Sequence, residues 1–293
     1  MHICVCIKQT PDSSSVYIDP ISGQVDYERF IQILNPADAC AVEAAVRLKE
    51  QLGGSILAIT LGPQDAEGAL RAALAIGADT ALRLWNPQAS NWGPFTVAAS
   101  LGPCIQREAP EVDLVLCGDT SGDWSSGIVG PALAEKLHLP QITGVMQLNV
   151  VREEGQDTAK LQVTRRLEHG YRELLEALPP LLITVTSDLN EPRYPSLPAH
   201  LASLQATIPV IDPLPLIGNA KEAEADETTL LEIHTPRPRP RRIAAPDSHH
   251  SAFERIGEII VGGVTGRKTS LVEGSPEELA RTLVEFLRKR DFL

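Results

Sequence analysis

The 293-residue chain has five cysteines, Cys4, Cys6, Cys40, Cys104 and Cys117, and no C-x-x-C pair among them. An odd number without paired spacing gives neither a disulfide framework nor a zinc-ligand set. Four of the five lie in apolar runs or helix-like segments, which points to buried thiols in a reducing compartment. Positive charge is also short. Against 38 Asp and Glu stand 26 Lys and Arg, a net charge of −12. That balance argues against nucleic acid or an anionic membrane surface as the main partner. No apolar stretch approaches bilayer-spanning length, so direct membrane insertion is not expected. The opening "MHICVCIKQTPD" has too short an apolar run for a signal peptide, and the expected location is the cytoplasm.

Catalytic constellations are missing too. No Ser or Cys has a His and an acid beside it in a persuasive pattern, and Arg165, Arg166 and Glu168 read as a charged strand face. "VGGVTGRKTS" (261–270) resembles a phosphate loop, but its glycine spacing is wrong and Arg267 stands where the lysine belongs. Asp247, His249 and His250 share a polar loop with no distant ligand set, so they read as a solvated turn and no metal is expected. We expect no catalytic residue.

What is present is a regular alternation. With 43% apolar and 22% charged residues the chain has the texture of a globular α/β protein. "HICVCIK" (2–8), "SILAITLG" (55–62), "TALRLWN" (80–86) and "VDLVLC" (112–117) read as strands. Between them lie helical stretches at 35–54, 63–79 and 94–109, the first with Asn35 as N-cap and Pro36 at its first position. This β-α-β order implies right-handed crossovers and a doubly wound, mostly parallel, Rossmann-like sheet. Segment 10–34 reads as an irregular excursion. Segments 141–151, 160–170 and 180–187 read as antiparallel strands added at the sheet edge. We place a nucleotide-binding domain at 1–208 and a linker with a C-terminal arm at 209–293. The arm includes the Pro/Arg segment 234–242 and a capped helix at 275–290.

One loop stands out, "GDTSGDWSSGIVGP" at 118–131. It joins an apolar strand to the helix-like "PALAEKL" and is rich in Gly, Asp and hydroxyls. Such connections hold phosphates through outward amides and the helix dipole, and they also serve as ordinary turns. The ends of the first strand near Cys6, the helix start at 35–38 and the second strand's end at Leu61 belong to the same sheet edge in a doubly wound fold. The residues alone favour an adenine nucleotide there. They leave open a stand-alone nucleotide-binding protein or an ATP-using enzyme of stress-protein type.

Several strings together carry a resemblance: "CIKQTPD" (6–12), "NPADACAVEAAVRLKE" (35–50), "AITLGP" (58–63), "LRAALAIGAD" (70–79), "DLVLCGD" (113–119) and "NEPRYPSLP" (190–198). In this order they resemble the β subunit of electron transfer flavoproteins, including Fix-type members, over residues 1–205. The resemblance implies a heterodimer with an α subunit that carries most of a redox FAD. Electrons would pass from dehydrogenases of acyl-CoA type to a membrane quinone oxidoreductase. The β subunit would be a carrier subunit and not an enzyme. It would bind AMP or, in electron-bifurcating members, a second FAD. The matching positions are Cys6, Asn35, Pro36, Ala37, Asp38, Leu61, Gly118, Asp119, Thr120, Ser121, Gly122, Asp123, Trp124, Ser125, Ser126, Gly127, Ile128 and Val129. The family loop carries Lys-Gln, a second Asp, Thr and Gln where this chain has Asp119-Thr120, Ser125, Ser126 and Ile128. "NWGPFTVAAS" (91–100) also lacks the segment common in bifurcating members, and AMP is the expected nucleotide. "NEPRYPSLPAHL" (190–201) would be an exposed, proline-stiffened loop that docks the dehydrogenase through Tyr194 and Leu197. The tail would embrace the α subunit.

Overall fold

The computed structural model of the chain describes residues 1–17, 30–151, 159–217, 250–260 and 274–288. Its centre is built from strands buried on both faces: β1 (His2–Cys6), β6 (Leu114–Gly118) and β10 (Leu181–Val185). Such uniformly apolar runs are what a parallel sheet with helices on both sides demands. β4 (Ser55–Leu61), β5 (Thr80–Leu84) and β11 (Val210–Ile211) extend the sheet on one side. β7 (Gln141–Val151), β8 (Lys160–Arg166) and β9 (Arg172–Ala177) extend it on the other. The order is β11-β5-β4-β1-β6-β10-β7-β8-β9. The chain therefore winds one way from β1 through β4 to β5, then returns to β6 on the opposite side of β1.

Alternate residues of β1 face different helices. Ile3 and Val5 pack in one core with α1 (Pro36–Leu52) and α2 (Glu67–Ile76), through Ala41, Ala45, Leu48, Leu70 and Ala73. Cys4 and Cys6 pack in the other with α3 (Pro94–Glu108) and α4 (Val129–Leu137), through Leu101, Cys104, Ile105 and Leu133. All five thiols are buried and free. Burial pushes the Cys104 thiol up to about 11, so the group stays protonated and inert. The doubly wound α/β fold is the one the β-α alternation predicts.

Several expectations change. Segment 180–187 is no edge strand: β10 lies inside the sheet, parallel to both β6 and β7. Segment 141–151, as β7, is likewise parallel to β10; within this sheet only β8 runs against the others, antiparallel to both β7 and β9, and the strand expected over 160–170 ends at Arg166. Excursion 10–34 contains a short antiparallel ladder, β2 (Gln9–Pro11) with β3 (Gln32–Leu34). The loop expected over 190–201 turns into α5 (Leu197–Gln205), capped by the Ser196 hydroxyl, which accepts from the Ala199 amide.

The chain divides into two units, Met1–Thr235 and Pro236–Leu293. The described part of the second consists of α6 (Ala252–Ile260) and α7 (Pro276–Arg288). Ser275 and Glu278 form the expected capping box on α7. Its final positions, the phosphate-loop look-alike, the Pro/Arg segment, Asp247 and His249 lie outside the described residues. No helix among the described residues is long and apolar enough to cross a membrane.

Candidate functional site

The strand order reverses between β1 and β6, so a crevice opens beyond their carboxyl ends. α1 starts there, and its first turn supplies the groups that shape the crevice. Asp38 is buried and has no cation in direct contact among the described residues. One carboxylate oxygen accepts from the Lys8 amide at 2.8 Å and the other from the Gly118 amide at 2.7 Å. The side chain thereby ties the end of β1 to the end of β6. Burial lifts its carboxyl to about 7, against the lowering pull of those two amides, the Asn35 side chain and the Lys8 charge.

Asn35 was expected to cap α1 with its side chain, and it does not. Its amide nitrogen donates to the Thr120 carbonyl at 3.0 Å, and its oxygen accepts from the Gly122 amide at 3.1 Å. Both halves of the carboxamide therefore grip the backbone of the loop. Asp119 anchors it on the far side, donating its amide to the Val185 carbonyl of β10. Asp123 pairs with the Lys8 ammonium at 2.6 Å and accepts from the Trp124 amide. The Ser125 hydroxyl and amide both donate to the Ser121 carbonyl.

Two glycines show why the loop reads as it does. A side chain on Gly118 would stand 2.5 Å from an Asp38 carboxylate oxygen and 2.8 Å from the Ala37 Cβ. The close approach of β6 to α1 requires its absence. A side chain on Gly127 would meet only ordinary contacts, the nearest the Asp119 carbonyl at 3.4 Å, but its φ is +65°, which only glycine and a few small polar residues adopt cheaply.

Of the expected positions, Asn35, Ala37, Asp38 and residues 118–123 come together at the crevice by direct contact. Pro36 is exposed at the start of α1. Trp124 lies at the tip, 73% exposed. Ser126, Gly127, Ile128 and Val129 lead into α4, and among the described residues their amides find no protein acceptor. Backbone donors left free at a helix start are the kind of group that can receive an anion. Cys6 sits at the end of β1 with its side chain in the core, so only its backbone faces the crevice. Leu61 ends β4, the next strand along.

Three features at this edge went unread in the sequence. Lys8 supplies both the amide for Asp38 and the ammonium for Asp123. Thr10 is buried, and its hydroxyl has no hydrogen-bond partner among the described residues. It lies 3.8 Å from where a Gly122 side chain would begin. The third is the absence of any Lys or Arg from 118–131, which leaves backbone amides and neutral side-chain groups as the loop's donors.

The family model of the electron transfer flavoprotein domain matches residues 28–216. The chain belongs to the electron transfer flavoprotein domain family. Similarity runs along most of its length. It is 35% identical over 276 residues to the electron transfer flavoprotein subunit beta of Thermoanaerobacterium thermosaccharolyticum, covering 93% of this chain and 97% of that one. It is 32% identical to the protein FixA of Azotobacter vinelandii, over 88% and 92% of the two chains. It is 37% identical to the caffeyl-CoA reductase-Etf complex subunit CarD of Acetobacterium woodii, over 67% and 72%. The matched span includes the α1 start, the loop and the segment 190–205.

Most side chains of that last segment are exposed. Tyr194 is 99% and Leu197 69% exposed, so an inward-packed turn is excluded. Leu201 and Leu204 follow Leu197 on one face of α5 and are exposed as well. The C-terminal carbonyls of α5 are held by Arg71 of α2, whose guanidinium donates to Ser203 at 2.7 Å, Leu204 at 3.0 Å and Ala206 at 3.1 Å.

Proposed function

We propose that this chain is the β subunit of a heterodimeric electron transfer flavoprotein, a carrier subunit that binds an adenine nucleotide and docks the electron donor. The observation that carries the reading is the two-sided grip of Asn35 and Asp38 on loop 118–129 at the switch point of a family-type sheet. The redox chemistry is that of FAD, held mainly by the α subunit. The residues of this chain position, bind and recognise.

The nucleotide we assign is AMP. A phosphate fits the free amides of residues 126–129, where each bond to a charged oxygen contributes about 1.5–3 kcal/mol. A dinucleotide would bring a second phosphate beside Asp119 and Asp123, with oxygens that need donors of their own. The nearby Lys8 ammonium is already paired with Asp123. Charged side-chain donors are therefore scarce, which favours one phosphate group over the two of a second FAD. Thr10 offers an unpaired hydroxyl under the same loop.

On the outer surface, Tyr194 and Leu197 form the docking point for dehydrogenases of acyl-CoA type. The electrons leave for a membrane quinone oxidoreductase. Residues 1–208 make up the nucleotide-binding domain, and the arm 209–293 wraps the α subunit. The expected compartment is the cytoplasm.

The test is co-expression with an electron transfer flavoprotein α subunit, followed by mass spectrometry of the denatured complex. We expect a 1:1 heterodimer that releases one AMP and one FAD. Two FAD would overturn the nucleotide assignment. A chain that ignores the α subunit and hydrolyses ATP would overturn the whole reading.

A further inference from the structure

Glu43 lies in the middle of α1, and its side chain is 2% exposed. A carboxylate at such a position is costly unless several donors meet it. Four do. Arg47 Nε donates at 2.6 Å, and Arg193 donates three times, from its backbone amide at 3.2 Å, Nε at 2.8 Å and Nη2 at 3.1 Å. The same guanidinium spans two helical turns to Glu50, with Nη1 at 2.6 Å and Nη2 at 3.1 Å from its carboxylate. Neighbouring bonds tie the same stretch to α1. The Asn190 side chain donates to the Cys40 carbonyl, and Arg47 Nη2 to the Glu191 carbonyl.

This clasp fixes the backbone as well as the side chain of Arg193, the residue just before fully exposed Tyr194. Arg71 fixes the other end of the segment at the α5 terminus. Between the two anchors, Tyr194 and Leu197 project into solvent with little local contact of their own. We infer that Glu43 and Arg193 are positioning residues for donor docking: they hold the segment in its projecting form before the dehydrogenase arrives. The inference rests on the docking reading of Leu197. A pre-ordered segment loses little freedom on association, so breaking the clasp should weaken encounter and leave the transfer step alone.

The test uses the full heterodimer with Glu43→Gln, Arg193→Lys and, as reference, Leu197→Ala. Glu43→Gln keeps shape while removing charge and placing an NH2 group among donors. Arg193→Lys is on a more exposed residue, keeps charge and loses the forked geometry, so it carries the test if Glu43→Gln does not fold. Two quantities are read. One is hydrogen exchange of amides 190–197. The other is FAD reduction against concentration of an acyl-CoA dehydrogenase charged with its acyl-CoA. We expect exchange to rise about tenfold or more and the half-saturating dehydrogenase concentration to rise about five- to tenfold, with the maximal rate unchanged. Faster exchange with unchanged half-saturation, or unchanged exchange, would overturn the inference. If Leu197→Ala also leaves half-saturation unchanged, the docking reading itself has failed, and the inference falls with it.

Discussion

At the scale of single residues, Asp38 is the group whose chemistry can be read out most directly. Its carboxyl titrates near 7 in the folded chain and at 3.8 when unperturbed, because burial penalises the charge more than its partners relieve it. Between those values the folded chain binds a proton that the unfolded chain does not. The stability this confers is fully present below about 3.8 and is lost as pH rises through about 7. From pH 5 to pH 8 the loss amounts to about 2–3 kcal/mol. Asp38→Asn cannot titrate. Urea unfolding at intervals over that range should therefore show the wild type losing ground to Asp38→Asn by about that amount as pH rises. Parallel curves for the two proteins would show that the carboxylate is ionised throughout. Glu43 is the opposite case on the same helix. Burial pulls its carboxyl up, but the bonds from Arg193 and Arg47 more than reverse this and hold it below its usual range.

Among elements, α1 organises both surfaces. Its start grips loop 118–122 through Asn35 and Asp38, and its later turns grip segment 190–193 through Glu43, Arg47 and Glu50. The strand-to-helix connection ending at α4 depends on a left-handed residue. Gly127 has φ +65° and its nearest neighbour would stand 3.4 Å from a Cβ, so a substitution meets backbone strain more than a clash. Gly127→Val should lose most of its AMP, whereas Gly127→Asn, which tolerates this conformation, should retain it. Both should unfold at nearly the wild-type temperature. Nucleotide per heterodimer, counted by mass spectrometry, checks the pair; equal retention in both variants would mean the loop's left-handed turn is not needed for binding.

Much of this was legible because it is local. Caps, periodicity and the β-α alternation mark α1, α2 and the first four parallel strands, and the switch point follows from topology. β10 was misplaced because it follows a hairpin excursion, although "LLITV" has the unbroken apolar run of a parallel strand. The β2–β3 ladder is three residues deep, too short for alternation to show. α5 was hidden by its prolines, even though Pro198 sits where a helix start accepts proline. The Glu43–Arg193 clasp joins residues 150 apart, and the gripping role of Asn35 replaced a capping role that spacing alone suggests. Partner choice over such separations is set by folding, not by spacing.

For the whole molecule, the question is what keeps two chains together. The sheet unit closes its own two cores, so assembly is not needed to bury them. The second unit differs. On α7, Leu279, Leu283, Val284 and Phe286 are all exposed, and no residue of that helix is buried. On α6, Phe253 and Ile256 are exposed too. A stripe repeating at three and four residues on a capped helix is the pattern of a groove-binding helix. We assign its groove to the α subunit, as proposed for the arm. Leu283 stands at 58% exposure near the middle of the stripe. Burying it on assembly would contribute about 1.5–3 kcal/mol, and an aspartate in its place would add a desolvation cost. Leu283→Asp should therefore weaken the heterodimer about a hundredfold or more, read by sedimentation of the two chains at dilution. Thermal unfolding of the isolated chain should hardly change, since an exposed leucine holds little of its own fold. A variant that keeps its partner but unfolds several degrees earlier would instead assign α7 to the packing of its own chain.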